Sequence, residues 1–292
     1  MPATAIRLAV IIPVYENWED TLECLQQLDA QTDRRFSVLL ADDGSPKAPP
    51  PEILRFPFVR YFRRPNAGFA GNCNRAVREA IADGATHVLL LNNDTLFGTG
   101  FMGEWLRAID GNPEAVMSPV IYWAADPQRV WYSGGSKSIL VPFFRLAKSY
   151  SQTTSVDILC GCTLLVPVKA WEQLGGLDER YFFYFEDLDF TLRARRAGME
   201  CLVLAEKGLR VWHKVHGSFR GTGAWKGHYR LIRSQLFFVR AHYGGLQKAL
   251  ALGLCFLHIL VFWLLNLPQM PDGGQLRDAV TRGVRPAASV RV

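Results

Sequence analysis

The sequence predicts an α/β fold, in which helices flank a mostly parallel central sheet and a helical appendage follows near the C-terminal end. Short apolar runs alternate with helical patterns over the first half of the chain, which is typical of βαβ units. The 292 residues are enough for one domain of about 200–250 residues with an appendage. Near the end, the 19-residue run Ala249–Leu267 carries no charge.

The predicted elements follow from apolar runs and from helical spacing. Arg7–Val14 is predicted as a buried strand, and Trp18–Ala30 as a helix with leucines on one face. The other predicted strands are Phe36–Ala41, Phe58–Phe62, His87–Leu91, Val116–Ile121, Val130–Tyr132, Ile158–Pro167, Cys201–Leu204 and Gly208–Trp212. The other predicted helices of the α/β part are Ala70–Ala82 and Glu186–Ala197, the latter ended by Gly198.

Charge is distributed unevenly along the chain. Hydrophobic residues make up 49% and charged residues 21%, which excludes disordered and fibrous proteins. The net charge is +6, yet residues 207–270 carry nine Lys and Arg side chains and no Asp or Glu. This asymmetry favours an anionic partner, which could be nucleic acid, diphosphate groups or an acidic membrane surface.

The C-terminal region is predicted to contact a membrane. Apolar side chains at 225, 229, 232, 236 and 239 have helical spacing and lie among basic ones, which indicates a basic amphipathic helix. Ala249–Leu267 is close to the length of about 20 residues that spans a bilayer. A spanning helix, an interfacial helix and a buried helix all remain open.

The cysteines indicate a reducing environment. The six cysteines are scattered, mostly within apolar runs, and form no C-x-x-C pair. The chain begins with a strand pattern and shows no charged segment followed by a cleavage site. Free thiols and a cytoplasmic location are therefore expected.

Acidic residues follow three of the predicted strands. Glu16 comes after the first strand, Asp42 and Asp43 after the second, and Asp94 after the fourth. The carboxyl ends of parallel strands meet at one edge, where open α/β sheets bind ligands. A ligand site is predicted at this edge.

The turn at Asn92-Asn93-Asp94 suggests a site for Mg²⁺ or Mn²⁺. Such ions take one or two protein carboxylates and complete their coordination with substrate phosphates and water. His213, at the end of the last predicted strand, is the expected second ligand, and His216 is a rival that the sequence does not separate from it.

The segment Tyr181–Gly198 places three carboxylates, at 186, 187 and 189, after a run of aromatic residues. Acids are favoured in a first helical turn, so capping explains one or two of them. A carboxylate sheltered by aromatic rings can have its pKa tuned toward accepting a proton. Glu186 and Asp187 point about 100° apart on a helix, so one of them is expected to face a substrate.

Eight segments give the chain a resemblance to glycosyltransferase family 2, which has the GT-A fold. Their order and spacing match that family along roughly residues 6–243. The resemblance is greatest to the bacterial rhamnosyltransferase-like branch. The segments are IIPVYEN (11–17), QT (31–32), ADDGS (41–45), NAGFAGNCNRAV (66–77), LLLNNDT (89–95), CGCTLLVP (160–167), GGLDERYFFYFEDLDFTLRARRAG (175–198) and WHKVHGS (212–218).

The resemblance implies a role for each matching residue. The residues implied for nucleotide-sugar binding are Pro13, Tyr15, Glu16, Asp42, Asn66, Gly68, Asn74 and Asn93. Among these, Asp42 would accept the N3–H of a uracil or thymine. Asp94 and His213 would hold a divalent cation that bridges the donor diphosphate. Asp187 would be the general base for the acceptor hydroxyl, and Glu186 would orient acceptor or donor.

The implied reaction is a single displacement with inversion at the anomeric carbon. Two positions depart from the family pattern: Asn92 replaces the first acid of D-x-D, and Arg233-Ser234 replaces an R-N pair. The implied division is a catalytic domain over 1–222, which binds nucleotide-sugar over about 1–98 and acceptor over about 99–222. Membrane-associating helices over 223–270 and a flexible tail over 271–292 follow.

The branch makes dTDP-L-rhamnose the leading donor, with UDP-galactofuranose, UDP-GlcNAc and GDP-mannose as alternatives. A cell-surface glycan or lipid-linked saccharide at the inner face of the plasma membrane is the expected acceptor. A catalytically silent nucleotide-sugar-binding scaffold is the main functional alternative. A nucleotidyltransferase is disfavoured because IIPVYENWED lacks a Gly-rich, basic phosphate loop, and nucleic-acid binding because the C-terminal aromatics have core spacing.

Overall fold

The computed structural model describes residues 6–137, 144–146, 150–215 and 224–266. The strands are β1 (Leu8–Val14), β2 (Phe36–Asp42), β3 (Val59–Arg63), β4 (His87–Leu91), β5 (Thr95–Phe97), β6 (Val116–Pro119), β7 (Ile121–Trp123), β8 (Asp126–Tyr132), β9 (Gly135–Lys137), β10 (Phe144–Leu146), β11 (Thr154–Ser155), β12 (Thr163–Pro167), β13 (Cys201–Leu204) and β14 (Val211–His213). The helices are α1 (Trp18–Asp29), α2 (Gly68–Ala82), α3 (Phe101–Gly111), α4 (Val168–Leu174), α5 (Glu186–Arg196), α6 (Ala224–His242) and α7 (Gly245–Asn266).

The central sheet has eight strands in the order β11-β13-β6-β12-β4-β1-β2-β3. The pairs formed by β1 with β2 and β4, and by β2 with β3, are parallel. Strand β12 lies antiparallel between β4 and β6, so the sheet is mixed. The parallel part brings the carboxyl ends of β1, β2 and β4 to one edge, as the α/β prediction requires.

Alternation along β1 places apolar side chains on both faces of the sheet. Leu8, Val10 and Ile12 pack in one core cluster, while Ala9 and Ile11 pack in the cluster on the opposite face. Successive side chains of a strand point to opposite faces, so a strand apolar at every position must be covered on both sides. This explains why the first predicted strand reads as a continuous apolar run.

Four strands form a second sheet in the order β5-β14-β7-β8, and its first strand, β5, directly follows Asp94 in the sequence. Strand β14 pairs antiparallel with β5, and His213 is opposite Thr95 in the register. The three-residue strand β5 and helix α3 are missing from the predicted elements. Glycines at 98, 100, 103 and 111 surround or interrupt the helix, and glycine is a poor helix former, which conceals the stripe that includes Phe101 and Trp105.

Helix α6 packs against the α/β part of the molecule, and α7 packs on α6. The third core cluster contains Tyr181 and Leu192 from the α/β part, Leu236 from α6, and Ala251 and Cys255 from α7. By length and composition, α7 is the one helix in the described residues that could cross a membrane. All six cysteines are buried and unpaired, which confirms the predicted free thiols.

Candidate functional site

A cavity of about 1010 Å³ opens at the carboxyl edge of the parallel strands. Ten of the twelve residues that the sequence assigns to the site line it: Pro13, Tyr15, Glu16, Asn66, Gly68, Asn93, Asp94, Glu186, Asp187 and His213. Residues far apart in the sequence thus meet in one space. Asp42 and Asn74 do not line the cavity, and His216 lies outside the described residues.

The loop after β1 has an unusual backbone conformation. Glu16 and Asn17 have φ values of 59° and 57°, in the left-handed region that L-residues with side chains rarely adopt. The Glu16 N–H donates to Ser45 Oγ at 2.8 Å, which fastens this loop to the turn after β2. Asn93 Nδ2 donates to Thr21 Oγ1 at 2.8 Å, which joins the turn after β4 to α1. Such strained positions persist where surrounding contacts determine them, and they cluster at functional sites.

Asp42 is in a different position from the one predicted. Its side chain is fully buried, and its two oxygens accept hydrogen bonds from the Ser45 N–H at 2.8 Å and the Tyr61 hydroxyl at 2.9 Å. Asp43 is the acid of this turn that lines the cavity. Asp42 ends β2, and successive side chains of a strand point to opposite faces, so Asp43 faces the cavity and Asp42 does not.

Asp43 also holds the following turn in place. Its oxygens accept hydrogen bonds from the backbone N–H groups of Ala67 at 2.7 Å and Gly68 at 2.9 Å. Burial raises the pKa of Asp43, and the two hydrogen bonds lower it. Burial has the larger effect, so the pKa is raised to about 6. An ionised carboxylate has about four acceptor sites, so Asp43 retains capacity to accept from a ligand.

Gly68 is required where α2 begins. Its φ is +76°, and a Cβ at this position would lie 2.2 Å from the carbonyl oxygen of Phe182. The same carbonyl accepts a hydrogen bond from the Phe69 N–H at 2.9 Å. The start of α2 therefore touches the aromatic segment that precedes Glu186, and only glycine permits that approach.

Asn74, expected to bind the nucleotide-sugar, does not line the cavity, whereas the nearby Asn72 does. Asn74 donates to the carbonyl of Leu177 at 2.8 Å and accepts from its N–H at 2.9 Å, which attaches α2 to the segment before the aromatics. Asn72 lines the cavity, and its Nδ2 donates to the carbonyl of Ala41 at 2.7 Å. That bond fixes the amide orientation, and the buried Oδ1 has no hydrogen-bond partner within the described structure.

Asp94 and His213 meet although 119 positions separate them. Pairing of β14 with β5 brings His213 Nε2 to 3.0 Å from Asp94 Oδ1, and both residues are buried. The Nδ1 atom of His213 is buried with no partner among the described residues. Trp131 lies edge-on to the imidazole, with ring centroids 4.5 Å apart.

This pair fits a divalent cation with two protein ligands. The two atoms are 3.0 Å apart, within hydrogen-bond distance of each other, and an imidazole nitrogen beside a carboxylate oxygen is a donor set that suits Mg²⁺ or Mn²⁺. No group of three or more His, Cys, Asp or Glu side chains suited to a metal occurs in the described residues. An ion held here needs further ligands from a bound molecule or from water.

Glu186 and Asp187 begin α5 and line the cavity together. The two residues before them, Tyr184 and Phe185, have φ values of 69° and 71°. Asp187 accepts hydrogen bonds from the N–H groups of Gly161 at 2.7 Å and Leu188 at 2.8 Å. Its position is thus determined by two backbone donors from different parts of the chain.

The two carboxyls have raised proton affinities. Burial raises the pKa of Asp187, and the hydrogen bonds from Gly161 and Leu188 oppose this shift. Burial and the negative charge of Asp187 raise the pKa of Glu186 well above its usual value. The Oε2 atom of Glu186 is buried with no partner in the described structure, so it is available to a ligand in the cavity.

Asp189 faces away from the cavity and is structural. It accepts hydrogen bonds from Arg193 Nε at 2.7 Å and from His242 Nε2 of α6 at 2.6 Å. Burial raises the pKa of Asp189, but the hydrogen bond from His242 and the charge of Arg193 outweigh it, and the net pKa is lowered. The three acids of Glu186–Asp189 therefore serve two different purposes.

Arg230 of α6 is a cavity residue that the site assignment from sequence omits. It is the only Lys or Arg among the described lining residues, and its guanidinium carbon lies 4.4 Å from the ring centroid of Phe182. Seven carboxylates line the same space: Glu16, Glu19, Asp20, Asp43, Asp94, Glu186 and Asp187. The sequence places Arg230 only within a basic helix, since no local pattern indicates that this helix reaches the strand edge.

The amino-acid sequence is similar to those of known proteins over most of its length. The family model for glycosyl transferase family 2 matches residues 9–175. The chain is 30% identical over 240 residues to N-acetylglucosaminyl-diphospho-decaprenol L-rhamnosyltransferase of Mycobacterium tuberculosis, covering 73% of this chain and 78% of that protein.

Solved structures show the same fold. The mannosyltransferase PcManGT from Pyrobaculum calidifontis, in complex with GDP-Man and Mn2+, superimposes with a TM-score of 0.59 at 18% identity, over 96% of this chain and 75% of that one. GalNAc-T7 with UDP, GalNAc and Mn2+ gives a TM-score of 0.55 at 14% identity, over 71% of this chain and 44% of that one. The match to the family model and the extent of the mycobacterial similarity establish that this chain belongs to glycosyltransferase family 2 and has the GT-A fold.

Proposed function

We propose that the protein is an inverting, metal-dependent glycosyltransferase that moves L-rhamnose from dTDP-L-rhamnose to a hydroxyl of a lipid-linked saccharide. The observation that carries the proposal is that the Asp94–His213 pair and the half-buried carboxyl of Asp187 line one cavity. The rhamnosyl donor rests on the similarity to the mycobacterial enzyme, whose name specifies an L-rhamnosyltransferase and a diphospho-decaprenol acceptor.

The nucleoside diphosphate is proposed to bind at the strand edge. Tyr15 and Asp43 lie on the side of the cavity formed by the ends of β1 and β2, where Asp43 replaces Asp42 as the proposed acceptor for the N3–H of the base. Asn72 adds a buried acceptor to the same wall. Asn74 is removed from the proposed donor contacts because its amide is bonded to Leu177.

Negative charge in the cavity must be neutralised for a diphosphate to bind. The raised pKa of Glu186 favours its neutral form, but the ionised carboxylates of the cavity and a diphosphate repel each other, so cations are needed close to the phosphate oxygens. Asp94 and His213 would hold Mg²⁺ or Mn²⁺, which when bound stabilises the charge that develops on the departing diphosphate. Arg230 of α6, which lines the same cavity, would supply a second positive charge.

Asp187 is proposed as the general base. Its raised pKa suits it to take the proton of the acceptor hydroxyl while the hydroxyl oxygen forms a bond to the anomeric carbon. The bond from that carbon to the diphosphate oxygen breaks in the same step, which inverts the configuration. Glu186, with an unpartnered oxygen beside Asp187, would orient a sugar hydroxyl.

The test is donor turnover by the full chain and by Asp187→Asn. With Mn²⁺ and lipid-linked acceptors, the wild-type protein should release dTDP from dTDP-L-rhamnose, and the variant should be slower by about 10²–10⁴-fold. Asp126→Asn, at an exposed position, is the matched control and should keep full activity.

Four results would count against the proposal. Unchanged transfer by Asp187→Asn removes the proposed base, and turnover only of UDP- or GDP-sugars removes rhamnose. Tight nucleotide-sugar binding without turnover of any donor favours the catalytically silent scaffold. Retained anomeric configuration in the product, measured by NMR, excludes the single displacement.

A further inference from the structure

The exposed apolar surface of the described residues is concentrated on α7. Seven of the nine exposed large hydrophobic side chains lie on this helix: Leu246, Leu250, Leu254, Phe256, Leu257, Leu260 and Val261. Leu246 is 76% exposed, and Leu257 is 54% exposed. Contiguous apolar surface of this kind marks an interaction site in a soluble domain.

The opposite side of α7 is a narrow strip that packs on α6. Ala251, Cys255 and Ile259, spaced four residues apart, are buried in the cluster that includes Leu236 and Val239 of α6. At 100° per residue, the exposed side between residues 249 and 261 covers about 200° of the helix circumference. The contact of α7 with α6 needs only the narrow strip, so a single partner helix would leave most of the exposed side uncovered.

Contacts at both ends show that α7 runs side by side with α6 in the opposite direction. Lys248 Nζ donates to the carbonyl of Arg240 at 3.1 Å, near the turn between the helices. At the other end, the ring of His228 stacks on Phe262. The stretch from Lys248 to Phe262 spans about 21 Å at the rise of an α-helix.

Helix α6 is in turn fixed to the catalytic part of the molecule along the same stretch. Ser234 Oγ donates to the carbonyl of Phe183 at 2.9 Å, and His242 Nε2 is 2.6 Å from Asp189 Oδ1. Rings of Phe185 and Phe238 pack with centroids 5.2 Å apart. The polar catalytic domain therefore lies beside α7 over its contact with α6.

We propose that α7 lies in the plane of an anionic membrane surface, with the exposed leucine side immersed and the Ala251–Ile259 strip resting on α6. If α7 stood along the bilayer normal, α6 and the catalytic residues bonded to it would enter the hydrocarbon, where ionised and unpaired polar groups are strongly disfavoured. Lying flat immerses only the apolar side, as in monotopic proteins.

The charge of the region matches an anionic lipid surface. Residues 224–266, which form α6 and α7, carry five Lys and Arg side chains and no acid, and Arg240 and Lys248 lie near the turn between the two helices. Basic side chains beside an immersed helix are attracted to anionic headgroups. This pairing of an apolar side with basic flanks favours a bilayer over a second copy of the chain.

The arrangement places the catalytic cavity next to the lipid, a step that rests on the proposed function. Arg230 and Leu231 of α6 line the cavity, and His228, two residues before Arg230, touches Phe262 of α7. The cavity wall and the membrane helix are thus less than one helical turn apart along α6. A lipid-linked acceptor could present its sugar without leaving the bilayer.

The first test is vesicle binding by the full chain. Wild-type protein should float with vesicles of phosphatidylcholine containing 30% phosphatidylglycerol, about ten times more than with phosphatidylcholine alone, and less at high salt. The triple variant Leu250→Glu, Leu254→Glu and Leu257→Glu should lose this binding. Leu54→Glu, an equally exposed leucine outside α7, is the matched control and should retain it.

The second test measures depth. Leu250→Cys, Leu254→Cys and Leu257→Cys, each labelled with a polarity-sensitive fluorophore, should be quenched equally by lipids that carry a quencher at one shallow depth. The native thiols are buried and compete little for the label. Quenching that changes steadily along these positions indicates a spanning helix and overturns the in-plane proposal.

Other outcomes assign the surface to other occupants and also overturn the proposal. A concentration-dependent dimer that the triple variant loses, without vesicle binding, assigns it to a second copy. Vesicle binding that requires removal of residues 271–292 assigns it to that segment. Donor turnover with a water-soluble saccharide acceptor should be unchanged in the triple variant. Loss of the proposed function is therefore distinguishable from loss of membrane contact.

Discussion

At the residue scale, burial sets the chemistry of the carboxylates in the cavity. Asp43, Glu186 and Asp187 all have raised pKa values, and burial is the first cause in each case. Asp189, only two residues after Asp187, has a lowered pKa because His242 and Arg193 bind it. The same residue type thus serves as proposed base or as structural anchor according to its neighbours.

The pH dependence of transfer should reflect the raised pKa of Asp187. The proposed base acts when ionised, so kcat should fall as the pH drops through a value above about 3.9, the ordinary pKa of aspartate. A limb at the ordinary aspartate value would contradict the assignment.

Gly68 should tolerate no side chain. Gly68→Ala places a Cβ 2.2 Å from the Phe182 carbonyl, so it should weaken donor binding at least tenfold and lower the melting temperature. Gly175→Ala is the control, since Gly175 has a similar φ of +71° but no atom within 4 Å of the added Cβ. It should cost about 1 kcal/mol, from backbone strain alone. Equal effects of the two substitutions would show that the contact with Phe182 is unimportant.

At the scale of elements, hydrogen bonds from His242 to Asp189 and from Ser234 to Phe183 fix α6 to the α/β part of the molecule. Asp189, in the first turn of α5, accepts a hydrogen bond from His242, the last residue of α6, while Ser234 bonds to the aromatic segment before α5. Arg230 reaches the cavity from the same helix. Helix α6 therefore supports the aromatic segment and contributes to the site, in addition to carrying α7.

Removal of the buried Asp189 should loosen this attachment. Asp189→Asn leaves Arg193 and His242 without their carboxylate, and should lower the free energy of unfolding by about 3 kcal/mol near pH 7. Because the folded pKa of Asp189 is lowered, its contribution is present above the unfolded pKa and is lost as the pH falls through the folded value. The difference between variant and wild type in urea unfolding should therefore shrink below about pH 4.

Asp29→Asn provides the comparison for that measurement. Asp29 pairs with Arg34 at the surface, with both side chains about half exposed, so its loss should cost less than about 1 kcal/mol. If Asp29→Asn and Asp189→Asn have the same effect, the bond between α5 and α6 does not stabilise the fold.

At the scale of the whole molecule, binding of a nucleotide and a cation should stabilise the folded chain jointly. Each is proposed to supply what the other lacks, since Asp94 and His213 give two ligands and a diphosphate gives further oxygens. With dTDP at 100 times its Kd in the presence of Mn²⁺, unfolding should cost about 2.7 kcal/mol more. Thermal unfolding should show a much smaller shift with dTDP or Mn²⁺ alone.

Substitutions show which residues hold the cation in this joint stabilisation by dTDP and Mn²⁺. Asp94→Asn should abolish the part of the shift that depends on Mn²⁺, whereas Asp126→Asn, at an exposed position, should keep it. A shift that persists in full in Asp94→Asn would place the cation elsewhere in the chain.

Much of the fold and most of the site could be predicted from local pattern. The strand β4 and the start of α5 occur where apolar runs and helical spacing place them, because burial on both faces or on one face leaves a direct trace in the sequence. Ten of the twelve assigned residues line the cavity, and Tyr15, Glu16, Asn93 and Asp94 do so because they follow β1 and β4, whose carboxyl ends share one edge. Family membership follows from the ordered motifs, and the family model confirms it.

Contacts between distant segments were decided by the tertiary structure alone. Whether Asp42 or Asp43 faces the cavity depends on the last residue of β2 and its register, and a shift of one residue reverses the face. Asn74, expected to bind the nucleotide-sugar, does not line the cavity because its amide bonds to Leu177, over 100 positions away, whereas Asn72 does line it. Arg230 enters the site because α6 packs on Asp189 and Phe183, and pairwise contacts of this kind leave no periodic signal in the sequence.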